Sequence, residues 1–160
     1  MTTLVDHARS MIACTIWADD RILAAADGIS DEQYGQLRAQ IEHMLGTQRY
    51  WYTNWIGGAL VEPQLETLAQ ARSAYAASHD ALRSFADALT DHEWHRSEQW
   101  WKAYGFEGSM ALGESITQVF YHGVQHRSEL AVLLSIWNHS PGGMDYLEFL
   151  RESGAPLPAE

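Results

Sequence analysis

Apolar residues recur at steps of three and four positions over four long segments of this 160-residue chain. In an α-helix such spacing places side chains on one face, so each segment is predicted to be an amphipathic helix. The first ends at Gly28, the second runs from Ser30 to the glycines at 57–58, and the third and fourth cover about 66–89 and 111–137. Helices of this kind bury their apolar faces against one another, which predicts an all-α four-helix bundle.

Signals at the segment ends refine this prediction. Ser30 opens "SDEQ", and Gln33 follows three residues later, which is the pattern of a capping box at a helix start. The stretch 92–109 has no helical periodicity and many aromatic residues. It predicts a long connection between the third and fourth helices, with a short hairpin within it. "MDYLEFLRE" (144–152) predicts a short C-terminal helix.

Composition limits the classes of function. With 46% hydrophobic and 19% charged residues, the chain is predicted to be one globular domain over 1–160. A net charge of −11 with only ten basic residues argues against binding nucleic acid or an anionic membrane surface. Cys14 is the only cysteine, so no internal disulfide forms. The N-terminus lacks a long uninterrupted apolar run, and we expect a cytoplasmic protein.

Two histidines in "YHGVQHRSEL" (121–130) stand four residues apart on the apolar face of the fourth segment. Side chains at this spacing project side by side, so His122 and His126 can chelate one divalent metal. The alternative is a pair of histidines at the edge of the core, hydrogen-bonded to Ser, Thr or Trp neighbours. A metal needs a third ligand from another helix. His43 is the best candidate, because it lies at the edge of the second buried face, and His79 is a weaker one.

Three stretches of the chain resemble, in order, the DinB/YfiT-like family of damage-inducible proteins. They are "TIWADDRIL" (15–23), "IEHMLGTQRYWYTNWIGG" (41–58) and "YHGVQHRSELAVLLSIWNHSPGGMDYLEFL" (121–150). In that family one histidine comes from the second helix, and two come from a later H-x-x-x-H-R segment that precedes a Gly/Pro break and a tail helix. The residues after "HR" depart from the family pattern, in which a small residue followed by Gln is more usual.

The resemblance implies a four-helix bundle with a metal bound by His43, His122 and His126. Three neutral imidazoles suit Zn, Ni, Fe or Cu, and an open coordination position is typical of catalytic sites. Family members include thiol-dependent transferases and isomerases. The resemblance therefore implies transfer of a low-molecular-weight thiol, activated at the metal, to a small-molecule electrophile. Metal-dependent hydrolysis is the second alternative, and a non-catalytic sensor or scaffold is the third.

Residues near the histidines are candidates for a substrate pocket, although none identifies a catalytic acid, base or thiol. Thr47 lies one turn after His43, and Trp17 and Trp51 can line the same pocket or pack in the core. Seven Trp and seven Tyr in one chain also favour an interface, and family members commonly pair through bundle faces, so we expect a homodimer.

Each of the charged residues near these positions has two possible interpretations. Arg127 follows His126 directly and either binds substrate or pairs with a carboxylate such as Glu129 or Glu114. The acidic residues of the first helix, Asp19 and Asp20, either orient a ligand histidine or form a solvated face.

Overall fold

Four long helices form the body of the protein in a computed structural model, which describes residues 3–99 and 108–154. They are α1 (Leu4–Ala25), α2 (Asp31–Ile56), α3 (Leu68–Ala88) and α4 (Leu112–Ile136). Each of α3 and α4 packs against both α1 and α2, so α1 and α2 lie across the bundle from each other. The predicted all-α bundle is confirmed, and the helix ends lie close to the predicted ones.

Side-chain caps set where the helices begin. The Ser30 hydroxyl accepts from the Gln33 N–H at 3.2 Å, and the Gln33 side chain accepts from the Ser30 N–H at 2.8 Å, as the sequence predicted. The same reciprocal pair forms at Thr3 and at Thr67, before α1 and α3. At its other end α2 stops at Gly57, whose φ of 74° suits glycine.

The connection between α3 and α4 contains the predicted hairpin. A single 3₁₀ turn (Glu93–His95) precedes β1 (Ser97–Gln99), which pairs antiparallel with β2 (Ser109–Ala111). Residues 100–107, which carry much of the predicted aromatic content, lie outside the described residues. The 3₁₀ turn was not predicted, although a local hydrogen bond from the Thr90 N–H to the Glu93 carboxylate at 3.1 Å accompanies it.

Close contacts hold this connection on the bundle. The Trp94 ring covers Gly113, where a Cβ would lie 2.2 Å from the indole, so only glycine fits at that position of α4. The Arg96 guanidinium donates to the Trp55 carbonyl at 2.7 Å, and the Arg96 carbonyl accepts from the Leu112 N–H at 2.7 Å. The start of α4 is thereby fixed against the end of α2.

The predicted tail helix is α5 (Tyr146–Ser153), which packs against α1. Its N-terminus is capped by Asp145, whose carboxylate accepts from the Glu148 N–H at 2.9 Å. None of the described helices combines the length and the apolar character needed to cross a membrane.

Two apolar clusters fill the interior of the bundle. One contains Ile12, Trp55, Leu82 and Ile116, and the other contains Leu37, Ile41, Tyr75 and Leu134. Along all four helices the clusters are separated by a layer of buried polar residues, hereafter the polar layer: Asp19, Gln48, His79 and Arg127.

Candidate metal centre

Three histidines converge where α2 and α4 pack together. The Nε2 atoms of His43 and His122 are 3.1 Å apart, and the ring centroids of His43 and His126 are separated by 4.8 Å. One nitrogen of each ring lies within 4.8 Å of one nitrogen of the other two. In the part of the chain that the structure describes, no other group of three histidine, cysteine or carboxylate side chains is placed to hold a metal.

The spacing and chemistry of these nitrogens fit a divalent metal. Two imidazole nitrogens bound to one ion at about 2.0–2.1 Å lie about 2.8–3.4 Å apart in octahedral or tetrahedral geometry. The separation of 3.1 Å between His43 and His122 matches this range. His43 is exposed, and His122 and His126 are partly buried, so small molecules can reach the rings. The cluster can therefore bind a metal and leave part of its coordination sphere accessible.

A carboxylate fixes the orientation of His126. Its Nδ1 lies 2.8 Å from Glu129 Oε2, which leaves Nε2 as the free ring nitrogen. The Gln40 amide contacts His126 Nδ1 and donates to Glu129 Oε2 at 2.5 Å. The hydrogen bond from His126 lowers the pKa of the Glu129 carboxyl, so the carboxylate stays ionised. A carboxylate on the outer nitrogen of a metal-ligating histidine orients the ring and raises its basicity.

The ring environment of His122 and His43 favours their neutral form. Burial lowers the pKa of His122 to about 4, with further contributions from the neighbouring His126 and His43. Burial and the proximity of His126 also lower the pKa of His43. Only the neutral imidazole has a lone pair for a metal, so both rings are ready to bind at neutral pH.

A pocket of about 320 Å³ adjoins His43. Its walls come from one face of α2 and from the segment that follows that helix: Ala39, Glu42, His43, Gly46, Thr47, Tyr50, Leu60, Glu62 and Pro63. The Thr47 hydroxyl lies 3.3 Å from His122 Nε2 and so connects the pocket to the histidines. Of the four residues predicted from the sequence to line a substrate pocket, Thr47 lies in this one.

The other three predicted pocket residues lie elsewhere. Trp51 is buried in the core, and Trp17 donates from its indole N–H to Glu152 of α5 at 2.9 Å. Arg127 is 2% exposed, and its guanidinium donates to the Asp19 carboxylate at 2.8 Å. The ion pair, one of the two interpretations of Arg127, is therefore confirmed. Its partner is Asp19, so the suggested partners Glu129 and Glu114 are wrong.

Asp19 joins the members of the polar layer. Its carboxylate accepts from Gln48 Nε2 at 2.6 Å and lies 3.4 Å from His79 Nε2, in addition to the bond from Arg127. Burial by itself would raise the pKa of the Asp19 carboxyl, but the Arg127 charge and the hydrogen bonds from His79 and Gln48 outweigh it, so the pKa is lowered. Asp19 therefore does not orient a histidine of the cluster. Glu129 does so instead.

The remaining histidines lie apart from the cluster. His79, the weaker candidate for the third ligand, is buried between Asp19 and Asp20, whose carboxylate is 3.2 Å from His79 Nδ1. His7, His92 and His95 are exposed. The roles of Glu129 and Gln40 were not predicted. Glu129 follows His126 by three positions and so shares its helix face, which is the local signal that could have indicated the pair.

Comparison with known proteins gives one match. The model of the DinB family matches residues 2–156, which is nearly the whole chain. No curated protein and no solved structure matches the sequence.

Proposed function

The chain belongs to the DinB family, and from that premise we propose that it is a metal-dependent enzyme that transfers a low-molecular-weight thiol to a small electrophile. The observation that carries the proposal is the convergence of His43, His122 and His126 beside an open pocket. Catalytic metal sites keep such access, whereas structural sites are closed by a full set of protein ligands.

The bound metal would supply a positive charge that lowers the pKa of a coordinated thiol or water. The three imidazoles hold the ion, and Glu129 keeps His126 in the orientation that presents Nε2. The pocket beside His43 receives the electrophile, and the Thr47 hydroxyl is placed to hydrogen-bond with a group bound next to His122. Zn, Ni and Fe suit this set of donors. Metal-dependent hydrolysis is the second candidate, since the exposed His43 also admits water.

A screen of metal-loaded protein tests the proposal. Zn-, Ni- and Fe-loaded samples are each offered several low-molecular-weight thiols together with a chromogenic aryl halide, and thioether formation is followed by absorbance. We expect turnover with at least one thiol, and its loss in His126→Ala but not in His92→Ala, because His92 is exposed and is not one of the three converging histidines. Equal rates in wild type and His126→Ala would contradict the proposal. Ester hydrolysis without any thiol would support the second candidate.

The proposed enzyme acts as a cytoplasmic homodimer. Four exposed large apolar side chains on α4 support pairing through that helix: Tyr121, Val124, Val132 and Ile136. Analytical ultracentrifugation tests this proposal. A wild-type dimer, together with a monomeric Val124→Glu/Val132→Glu variant, would support it. A wild-type monomer at tens of micromolar protein would contradict it.

A further inference from the structure

Both helices that carry the histidine cluster are tied to one carboxylate. Gln48 lies on α2, five residues after His43, and donates to Asp19 at 2.6 Å. Arg127 follows His126 on α4 and donates to the other oxygen of the same carboxylate at 2.8 Å. Asp19 belongs to α1, which lies across the bundle from α2. The hydrogen bond from Gln48 therefore crosses the interior of the protein.

These bonds supply a directional constraint that the apolar clusters lack. Burial of apolar area is non-directional, so packing alone leaves a helix free to rotate by small amounts about its axis. A hydrogen bond weakens steeply when its angle departs from linear, and it therefore fixes that rotation. The space for Arg127 is also reserved, because a Cβ on Gly123 would lie 2.6 Å from the guanidinium.

Stability alone does not account for a glutamine at position 48. Its side chain is 3% exposed, and its Oε1 has no hydrogen-bond partner. Within residues 3–99 and 108–154 no other buried side-chain oxygen or nitrogen lacks a partner. A buried acceptor without a partner costs free energy that an apolar side chain of similar size would not. The Asp19 carboxylate would keep Arg127 and His79 as partners without Gln48.

We propose that Gln48 is a positioning residue for the metal centre. By donating to Asp19 it sets the rotation of α2 at which His43 meets His122 and His126. The inference rests on the proposed function of the three histidines as metal ligands. The experiments below can refute the role of Gln48 without refuting metal binding, and metal binding without refuting the role of Gln48.

The decisive variant is Gln48→Met, which keeps the volume and removes the hydrogen bond. We expect the melting temperature without metal to change little, because removal of the orphaned Gln48 acceptor offsets the loss of the hydrogen bond to Asp19. We expect Zn and Co affinity to fall at least about 10-fold, as for other groups that orient metal ligands indirectly, and the visible absorption of the Co-loaded protein to change.

Tyr34→Phe is the matched control, because it removes a different buried hydrogen bond of α2, from Tyr34 to the Leu65 carbonyl at 2.7 Å. It should lower the melting temperature and leave metal affinity and the Co spectrum unchanged. Wild-type affinity and spectrum in Gln48→Met would overturn the proposal. So would a loss of stability in Gln48→Met as large as in Tyr34→Phe, which would indicate a structural role.

A measurement without metal keeps the two proposals distinct. The rings of His43 and His122 have centroids 5.1 Å apart, close enough for NMR cross-peaks between them in the metal-free protein. Loss of these cross-peaks in Gln48→Met, with retention in Tyr34→Phe, would support the positioning role. Their retention in Gln48→Met would overturn it. If the wild type binds no metal, the proposed function fails, and the cross-peaks still decide the role of Gln48.

Discussion

Arg127→Met should destabilise the protein more than any surface substitution. The change removes the cation that neutralises Asp19, whose side chain is 1% exposed and remains surrounded by the bundle. Gln48 and His79 still contact the carboxylate, but neither is a permanent cation. Removing one partner of a buried ion pair lowers the free energy of unfolding by about 3–5 kcal/mol, because the remaining charge is left uncompensated. For a chain of this size each kcal/mol corresponds to about 2–4 °C, so the melting temperature should fall by about 6–20 °C.

A second variant tests whether the lost charge is the cause. Asp19→Asn/Arg127→Met removes both charges and keeps an amide oxygen that can accept from Gln48. The double variant should therefore be more stable than Arg127→Met alone, although it has lost more of the native interactions. Urea unfolding followed by circular dichroism measures both. The reasoning is refuted if Arg127→Met loses less than about 1 kcal/mol or if the double variant is no more stable than the single one.

The pH dependence of the wild type provides an independent check. The pKa of Asp19 is lowered on folding, so the unfolded chain takes up its proton first as the pH falls. The stability contributed by Asp19 is present above the unfolded pKa of about 3.9 and is lost as the pH falls through the folded pKa.

Three further results are expected. The folded pKa of His122 is about 4 and that of His43 is also lowered, so the unfolded state binds protons first as the pH falls. The metal-free protein should therefore lose stability between about pH 6.5 and pH 4. A melting temperature that rises over this range would contradict the lowered pKa values of these two histidines. Gly113→Ala would place a Cβ 2.2 Å from the Trp94 ring. The free energy of unfolding should therefore fall by about 1–3 kcal/mol, and the Trp94 fluorescence should change. An unaltered spectrum and stability would argue against this packing. Burial raises the pKa of the Cys14 thiol to about 11, and a chromogenic disulfide should modify it at pH 8 only after unfolding, whereas rapid labelling of native protein would show that the thiol is accessible.

Local patterns were sufficient to predict the α-helices of the fold. The capping box at Ser30, the glycine at 57 and the apolar periodicity of each segment depend on residues a few positions apart, and each appears in the structure as predicted. The same holds for the His122/His126 pair, whose spacing of four places both rings on one side of α4. The assignment of the whole chain to one domain, 1–160, stays a prediction.

Contacts between distant residues were not predictable in the same way. The partner of Arg127 is Asp19, 108 positions earlier, and helical periodicity predicts only that each lies near a buried face. Gln48 stands within an apolar stripe, where the sequence offers no means of identifying its acceptor. His43 was expected at the edge of the buried face of α2, and its meeting with His122 depends on how α2 and α4 pack, which one sequence does not specify.

The most direct test of the metal centre compares melting curves with and without excess Zn or Ni in wild type, His126→Ala and His92→Ala. A ligand that binds only the folded state adds about 2.7 kcal/mol at 100 times its dissociation constant, equivalent to about 5–11 °C for a chain of this size. Wild type and His92→Ala should show this rise, and His126→Ala should not, because it lacks one of the three converging imidazoles. Equal shifts in all three proteins would mean that the metal binds elsewhere and that His43, His122 and His126 are not its ligands.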